Sequence, residues 1–307
     1  MWAESLFQKE IVMNEFKTYH PIVNFAYFAF VIGYSCFFMH PVCLAISLAS
    51  ALTYCVMLRG VNAVRTTCAY TVPMLLITAL INPVFSHEGA TVIAYLPGGN
   101  PLTLESIVYG LCAALMLASV ICHFSCLGEV ITSDKFIWLF ARIMPAMSLV
   151  LSMTLRFVPR FTSQLRVVDN AQRCMGRDAK GAGVIKRAKY ALRILSVMTS
   201  WAFENSIDTA DSMKARGYGT ARRTSFSIFA FDKRDKKALL CILFLGLYTL
   251  GGSLWGAMNF RYFPSLKASE ASPFGMSVFL AYFLLCACPV IIEILEVRRW
   301  NASRSKI

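Results

Sequence analysis

Apolar residues gather in stretches of about twenty along most of this chain, at about 21–39, 41–58, 66–85, 104–125, 238–258 and 275–296. A membrane-crossing helix takes about 20 mostly apolar residues, so the pattern predicts six spans. A seventh stretch, 136–155, is interrupted by Arg142 and Pro145 and opens on Asp134 and Lys135. Between the fourth and fifth spans the pattern changes. Phe157, Phe161, Leu165 and Val168 recur at helical spacing, and Arg166, Arg173 and Arg177 fall on another face. That is an amphipathic helix. Gly176, Gly181 and Gly183 form a joint, and a second helix is expected from about Val184 to Arg216. Its apolar positions include Leu192, Leu195, Thr199 and Ala202. Glu204, Asp208 and Asp211 form a separate acidic strip, which either pairs with the basic first helix or faces solvent. Gly217 and Gly219 are stop signals for this helix.

The expected fold class is an all-α polytopic membrane protein with about six transmembrane helices and a long amphipathic cytoplasmic helical hairpin. In chain order this gives an N-terminal segment, 1–20, and four spans within 21–125. A membrane-parallel helix and the hairpin follow within 126–237, then two spans within 238–296 and a tail, 297–307. The first twenty residues lack an apolar core and a small-residue cleavage site, and so do not read as a signal peptide. They suit an interfacial amphipathic helix or a frayed tail.

Composition agrees with the pattern. Hydrophobic residues are 57% of the 307 and charged residues 15%, against about 25% charged in soluble domains. Mean hydropathy is +0.57. A disordered chain, a secreted disulfide scaffold and an ordinary soluble enzyme are excluded. The net charge of +13 would suggest nucleic acid in a soluble protein. In a membrane protein it marks the cytoplasmic face, and no nucleic-acid partner is expected. Arg59 and Arg65 put loop 59–65 inside, and the absence of Lys and Arg from 86–103 puts that loop outside. Residues 156–237 hold 18 of the 30 basic residues and 7 of the 17 acidic ones, so this block belongs inside. Stretch 136–155 then lies along or dips into the membrane, and both termini are cytoplasmic. Arg298, Arg299, Arg304 and Lys306 fit that placement of the C-terminal tail. Most of the 11 cysteines sit in apolar runs, where they are expected as reduced, packed thiols.

The chain carries no G-x-x-x-x-G-K-[ST] phosphate loop, so it is not an ATPase. No catalytic residues, bound cofactor or metal site are expected. Cys122, His123 and Cys126, at the end of the fourth span, read as helix packing more readily than as metal ligands. Glu105, Glu293 and Glu296 fall near span ends, which argues against a self-powered ion-coupled carrier. Asn82 beside Pro83 either lines a small pocket or ends the third span. A membrane protein without its own energy source, but with a large basic hairpin inside, suggests a subunit that couples a partner's energy to transport.

The two hairpin helices end alike. Ala171-Gln172-Arg173-Cys174-Met175-Gly176 and Ser212-Met213-Lys214-Ala215-Arg216-Gly217 both run small, long, basic, small, long, Gly. With Met153-Thr-Leu-Arg-Phe-Val-Pro-Arg160, Asp211 through Gly219, and Arg223-Thr224, this region resembles the transmembrane T component of energy-coupling factor transporters, the CbiQ/EcfT family. Asn82 through Gly89 and Pro101-Leu102-Thr103 are similar to that family's external segment. The resemblance implies a multi-pass component of a prokaryotic plasma-membrane importer of vitamins or metal ions. Two ABC-type ATPase subunits would consume ATP, a membrane-embedded S component would capture substrate, and this chain would couple them among membrane lipids. The hairpin helices would be coupling helices that dock through Ala-Arg-Gly ends. The second motif, Ala215, Arg216 and Gly217, is intact. The first is Cys174, Met175 and Gly176, with Arg173 or Arg177 available in place of the missing arginine. Met144, Met147 and Met153 are candidate S-component contacts or plain packing. Arg156 and Arg160 either serve the hairpin or snorkel to the interface.

Two other functions stay in competition on the residues alone. A membrane enzyme could hold a phosphate-bearing lipid or isoprenoid through its arginines, although no D-D-x-x-D cluster is present. A basic scaffold could bind anionic lipid or nucleic acid, but it would not need two matched helix ends.

Overall fold

The computed structural model describes residues 15–86, 88–95, 101–141, 144–177, 181, 183–219, 229–268 and 272–304. Most of the N-terminal segment, His87, and Arg223-Thr224 of the basic block lie outside the described residues. Ten helices and two short ribbons are described, and the chain divides into two units. Residues 1–136 and 229–307 form the first, and residues 137–228 form the second.

The first unit contains α1 (Glu15–Thr18), α2 (Pro21–Phe37), α3 (Pro41–Arg59), α4 (Val61–Phe85), α5 (Leu104–Val130), α9 (Lys233–Leu254) and α10 (Pro273–Arg304). Four of these, α3, α5, α9 and α10, are long and apolar enough to cross a membrane. Helix α2 and the 69–85 part of α4 are apolar but shorter. Helices α2 and α3 begin the same way, on His-Pro. His20 Nδ1 accepts the Ile22 amide and His40 Nδ1 accepts the Val42 amide, both at 3.3 Å. Burial lowers the pKa of both imidazoles, which suits an acceptor at a helix N-terminus.

Side-chain contacts sort the helix ends into two groups. At one end, Glu129 pairs with Lys17 (3.5 Å) and Arg59 (3.2 Å). There Lys135 Nζ donates to the carbonyls of Lys17 and Tyr19, and Asp235 accepts the His20 amide. At the other end, the ribbon β1 (Val92–Tyr95) with β2 (Pro101–Thr103) covers the start of α5. Thr103 caps α5 and donates to the Glu88 carbonyl (2.9 Å), and buried Glu105 accepts from Thr91 (2.9 Å). Ala90 there donates to the Pro264 carbonyl, and Tyr262 to that of Met39. A second ribbon, β3 (Phe260–Arg261) with β4 (Lys267–Ala268), completes this end. The first group holds the ends that charge counting places inside the cell.

The interior is aromatic with a polar thread. Phe16, Tyr27, Phe28, Tyr54 and Tyr282 are fully buried. The Phe16 amide donates to Glu293 (3.2 Å), and Tyr27 donates to the Cys286 carbonyl (3.1 Å). Ser47 joins Ser35 (2.7 Å), Ser119 (2.6 Å) and His123 (3.0 Å), tying α2, α3 and α5 together. Such polar links suit helix packing where no water competes. His123 therefore sits among serines, and among the described residues no group of three or more His, Cys, Asp or Glu side chains is placed to hold a metal. Cys36, Cys43, Cys55, Cys112, Cys122, Cys126, Cys174, Cys241, Cys286 and Cys288 form no disulfide. Asn82-Pro83 marks the end of α4: the Asn82 carbonyl accepts the capping Ser86 amide (2.8 Å).

Stretch 136–155 is not one membrane-parallel element. Helix α6 (Ser133–Ala141) ends within it, and α7 (Pro145–Cys174) begins within it. Proline suits the first helical turn, so Pro145 starts the long helix rather than interrupting an older one.

Candidate functional site

The second unit is a crossing of two long helices, α7 with 30 residues and α8 (Val184–Ala215) with 32. Phe161 meets Trp201 edge to face at 5.1 Å, and the Arg160 guanidinium lies 5.8 Å over the Trp201 ring. Tyr190 Oη donates to the Asp169 carboxylate at 2.6 Å, which raises the phenol's pKa. Val168 and Met198 are buried. Residue 161 thus opposes 201, and 169 opposes 190, so the helices run antiparallel.

One open alternative is decided here, and one expectation is corrected. The strip Glu204, Asp208 and Asp211 does not pair with α7. Asp211 meets Lys214 of its own helix at 3.9 Å, and Glu204 and Asp208 form no ion pair among the described residues. Asp169, on the basic helix itself, carries the link instead. The buried line of α8 also differs from the expected one. Met198 with the half-buried Tyr190, Ile194 and Trp201 face the crossing, whereas Leu192 and Leu195 are 65% and 61% exposed. Leu165, Leu192, Leu195 and Phe203 line an open apolar groove of about 1230 Å³ instead. Arg160 lies over the Trp201 ring and Arg156 does not, and both are exposed.

Both helices end in the same backbone device. Met175 has φ/ψ of −80°/13° and Arg216 has −81°/8°. Gly176 and Gly217 follow at φ 71° and 76°, a left-handed conformation that suits glycine. The Gly176 amide donates to the Arg173 carbonyl (2.9 Å), and the Arg177 amide to that of Gln172 (3.1 Å). Gly217 donates to Lys214 (2.9 Å), and Tyr218 to Met213 (3.0 Å), in the same order. Each is a Schellman motif, which satisfies the last carbonyls. Met175 and Arg216 thus hold equivalent positions, and both side chains are exposed. Cys174 and Ala215, the last helical residues, are exposed beside them.

Because the helices are antiparallel, these two ends leave the crossing in opposite directions. At 1.5 Å per residue, Ala215 lies about 21 Å along α8 from Trp201. The two candidate replacements for the first motif's arginine now differ. Arg173 is bound to Asp169 at 2.6 Å within its own helix. Arg177 is exposed and pairs with no carboxylate among the described residues. Arg216 likewise has no ion pair among the described residues. Met144 and Met147 are 55% and 60% exposed at the start of α7, and Met153 is half-buried. Sequence spacing signalled the two ends, but not the Asp169–Tyr190 link. A lone tyrosine and aspartate 21 residues apart carry no pattern.

A family model described as CbiQ, cobalt transport protein, matches residues 14–226. The chain is 39% identical over 102 residues to the energy-coupling factor transporter transmembrane protein EcfT of Lactobacillus helveticus, covering 33% of this chain and 37% of that one. It is 33% identical over 98 residues to the protein of the same name from Leuconostoc gelidum, covering 32% and 37%. A relative in Mycoplasma pneumoniae, called an MG181 homolog, is 31% identical over 94 residues, covering 30% of this chain and 22% of that one. The chain thus spans little more than a third of the length of the EcfT relatives it matches.

Proposed function

The chain belongs to the CbiQ cobalt transport protein family, and from that premise we propose that it is the transmembrane coupling component of an energy-coupling factor importer. It performs no chemistry itself. Two ABC-type ATPase subunits bind and hydrolyse ATP, and a separate membrane S component captures a vitamin or a metal ion. Six helices of the first unit cross the plasma membrane of a prokaryotic cell, with both termini inside. The crossed helices of the second unit lie on the cytoplasmic side.

The observation that carries this reading is the pair of matched helix ends. Two identical backbone caps pointing away from one crossing suit two receptors of one architecture. The small residues Cys174 and Ala215 permit close approach, and the glycines fix the direction of exit. Arg216 can bind a carboxylate in the receiving groove through two parallel hydrogen bonds. Met175, at the equivalent place, fills an apolar hollow, and Arg177 beside it supplies the charge. Closure of the ATPases on ATP would displace both ends. The crossing, fixed by Phe161–Trp201 and Asp169–Tyr190, would pass that displacement on as a rigid body. The apolar groove and exposed Met144 and Met147 offer the S component a surface on the same two helices.

The test is co-expression with a candidate ATPase pair and purification through a tag on this chain. Wild type should retain both ATPases, and Arg216→Glu should lose them, because a carboxylate would then face a carboxylate. Met175→Glu should weaken capture by burying an unpaired charge. Failure of wild type to retain the ATPases encoded beside it would overturn the reading.

A further inference from the structure

We propose that the cleft between α9 and α10, at the end bearing Lys233 and Arg299, binds one molecule of an anionic phospholipid. This needs only that α9 and α10 lie in a bilayer, and so stands apart from the coupling role. The cleft is about 690 Å³ and lies wholly within the first unit. Its mouth is basic, formed by Lys233, Arg234 and Lys237 of α9 and Arg299 of α10, with Glu296 the acidic member. Further along the two helices its walls are apolar and partly exposed, with Cys241 and Leu245 on one side and Leu284 and Ile291 on the other.

The charges at the mouth are unequally balanced. Arg234 lies 4.4 Å over the Tyr19 ring, 3.7 Å from Glu15, and donates to Thr18 (3.2 Å). Arg299 pairs with Glu296 at 3.2 Å. Lys233 and Lys237 are exposed and pair with no carboxylate among the described residues. The nearby carboxylates of Asp232 and Asp235 accept backbone amides in the capping box of α9. Two ammonium groups one helical turn apart repel, and a phosphate between them removes that repulsion.

The apolar stretch decides what carries the phosphate. Leu284 and Leu295 both line the cleft, and 11 residues of helix span about 16 Å. A free phosphate would use only the mouth and leave that length empty. A phospholipid fills both parts, its headgroup against the lysines and an acyl chain between the helices. Basic pockets between membrane helices on the cytoplasmic side take anionic headgroups in this way.

The experiment is native mass spectrometry of the full chain in mild detergent, titrated separately with phosphatidylglycerol, phosphatidylcholine and glycerol 3-phosphate. Wild type should retain one phosphatidylglycerol in preference to phosphatidylcholine. Lys233→Gln with Lys237→Gln should weaken that retention roughly tenfold or more. Lys236→Gln with Arg298→Gln removes the same charge outside the cleft and should leave it intact. Cys241→Trp, which fills the apolar stretch, should also reduce retention, and the charge variants decide the matter if this variant does not fold. Equal retention of the two lipids, or equal loss in the Lys236/Arg298 variant, would overturn the proposal in favour of diffuse surface charge. Glycerol 3-phosphate binding as tightly as the lipid would overturn it in favour of a soluble-phosphate site.

Discussion

Gly176→Ala isolates the backbone requirement of the first helix end. Gly176 has φ 71°, and a Cβ built there meets no atom within 4 Å. The substitution therefore introduces no clash, and its whole effect is conformational. A non-glycine residue in the left-handed region costs about 1–2 kcal/mol. The variant must either absorb that cost or let the helix run past Met175, which breaks the Gly176–Arg173 and Arg177–Gln172 hydrogen bonds. Local opening should become easier by the same amount. That corresponds to roughly five- to thirtyfold faster amide exchange at Gly176 and Arg177, with little change deeper in α7. Hydrogen exchange read by mass spectrometry on peptides ending near 177 measures this directly. Gly176→Asn is the control, because asparagine visits the left-handed region more readily, and it should recover much of the protection. Unchanged exchange in the alanine variant, or equal losses in both, would refute the argument. Gly217, at φ 76°, sets the same conformational requirement at the second end.

Two further predictions concern the first unit. Gly252 is buried where α9 meets α10, and a Cβ there would stand 2.4 Å from Val278 Cγ2. Gly252→Ala should therefore destabilise by about 1–3 kcal/mol, and Gly252→Ala with Val278→Ala should melt higher in detergent than Gly252→Ala alone. Lys135 is 5% exposed, and burial, with Lys17 nearby, lowers its pKa to about 8 from 10.5. The folded protein then carries a disfavoured charge below pH 8, and the unfolded chain holds its proton up to about 10.5. Stability should accordingly rise between these values, relative to Lys135→Met. Parallel melting curves for the two proteins from pH 7.5 to 10 would refute this.

The membrane part of the fold was legible because its signals are redundant. Apolar length marks α3, α5, α9 and α10 as long enough to cross a membrane and leaves α2 and 69–85 shorter, and the two groups of helix ends follow the sides that loop charge predicts. What escaped the sequence lacked such redundancy. The buried stripe of α8 was misplaced because Leu192 and Leu195 are as apolar as Ile194 and Met198. The apolar residues of the helix form one broad face that meets α7 along one side and lines the open groove along the other, with Tyr190, Ile194 and Met198 shared by both, and a single period cannot rank them. The acidic strip on α8 drew attention by its spacing, yet the carboxylate that matters is Asp169, an isolated acid among arginines. The polar thread of Ser35, Ser47, Ser119 and His123 was hidden for a similar reason, since its members come from three helices.

The matched helix ends were legible as a repeat of six residue types, but their meaning depends on the backbone. Residues 175 and 216 share dihedral angles to within a few degrees and the same pair of closing hydrogen bonds. A thioether at one end and a guanidinium at the other are therefore presented by one scaffold. Chance similarity of two glycine caps would not require a small residue before each exposed tip, yet Cys174 and Ala215 both supply one. If each end enters a receptor, the shared backbone requires grooves of like shape, and the differing tips require grooves of unlike chemistry. An acidic group would face Arg216, and an apolar wall would face Met175. On the proposed coupling role, the two receptors are then related but non-identical ATPase surfaces. Arg216→Glu and Met175→Glu, compared against each ATPase separately, should weaken the hold on different members of the pair. Equal loss of both ATPases in each variant would leave the asymmetry of the tips without a counterpart.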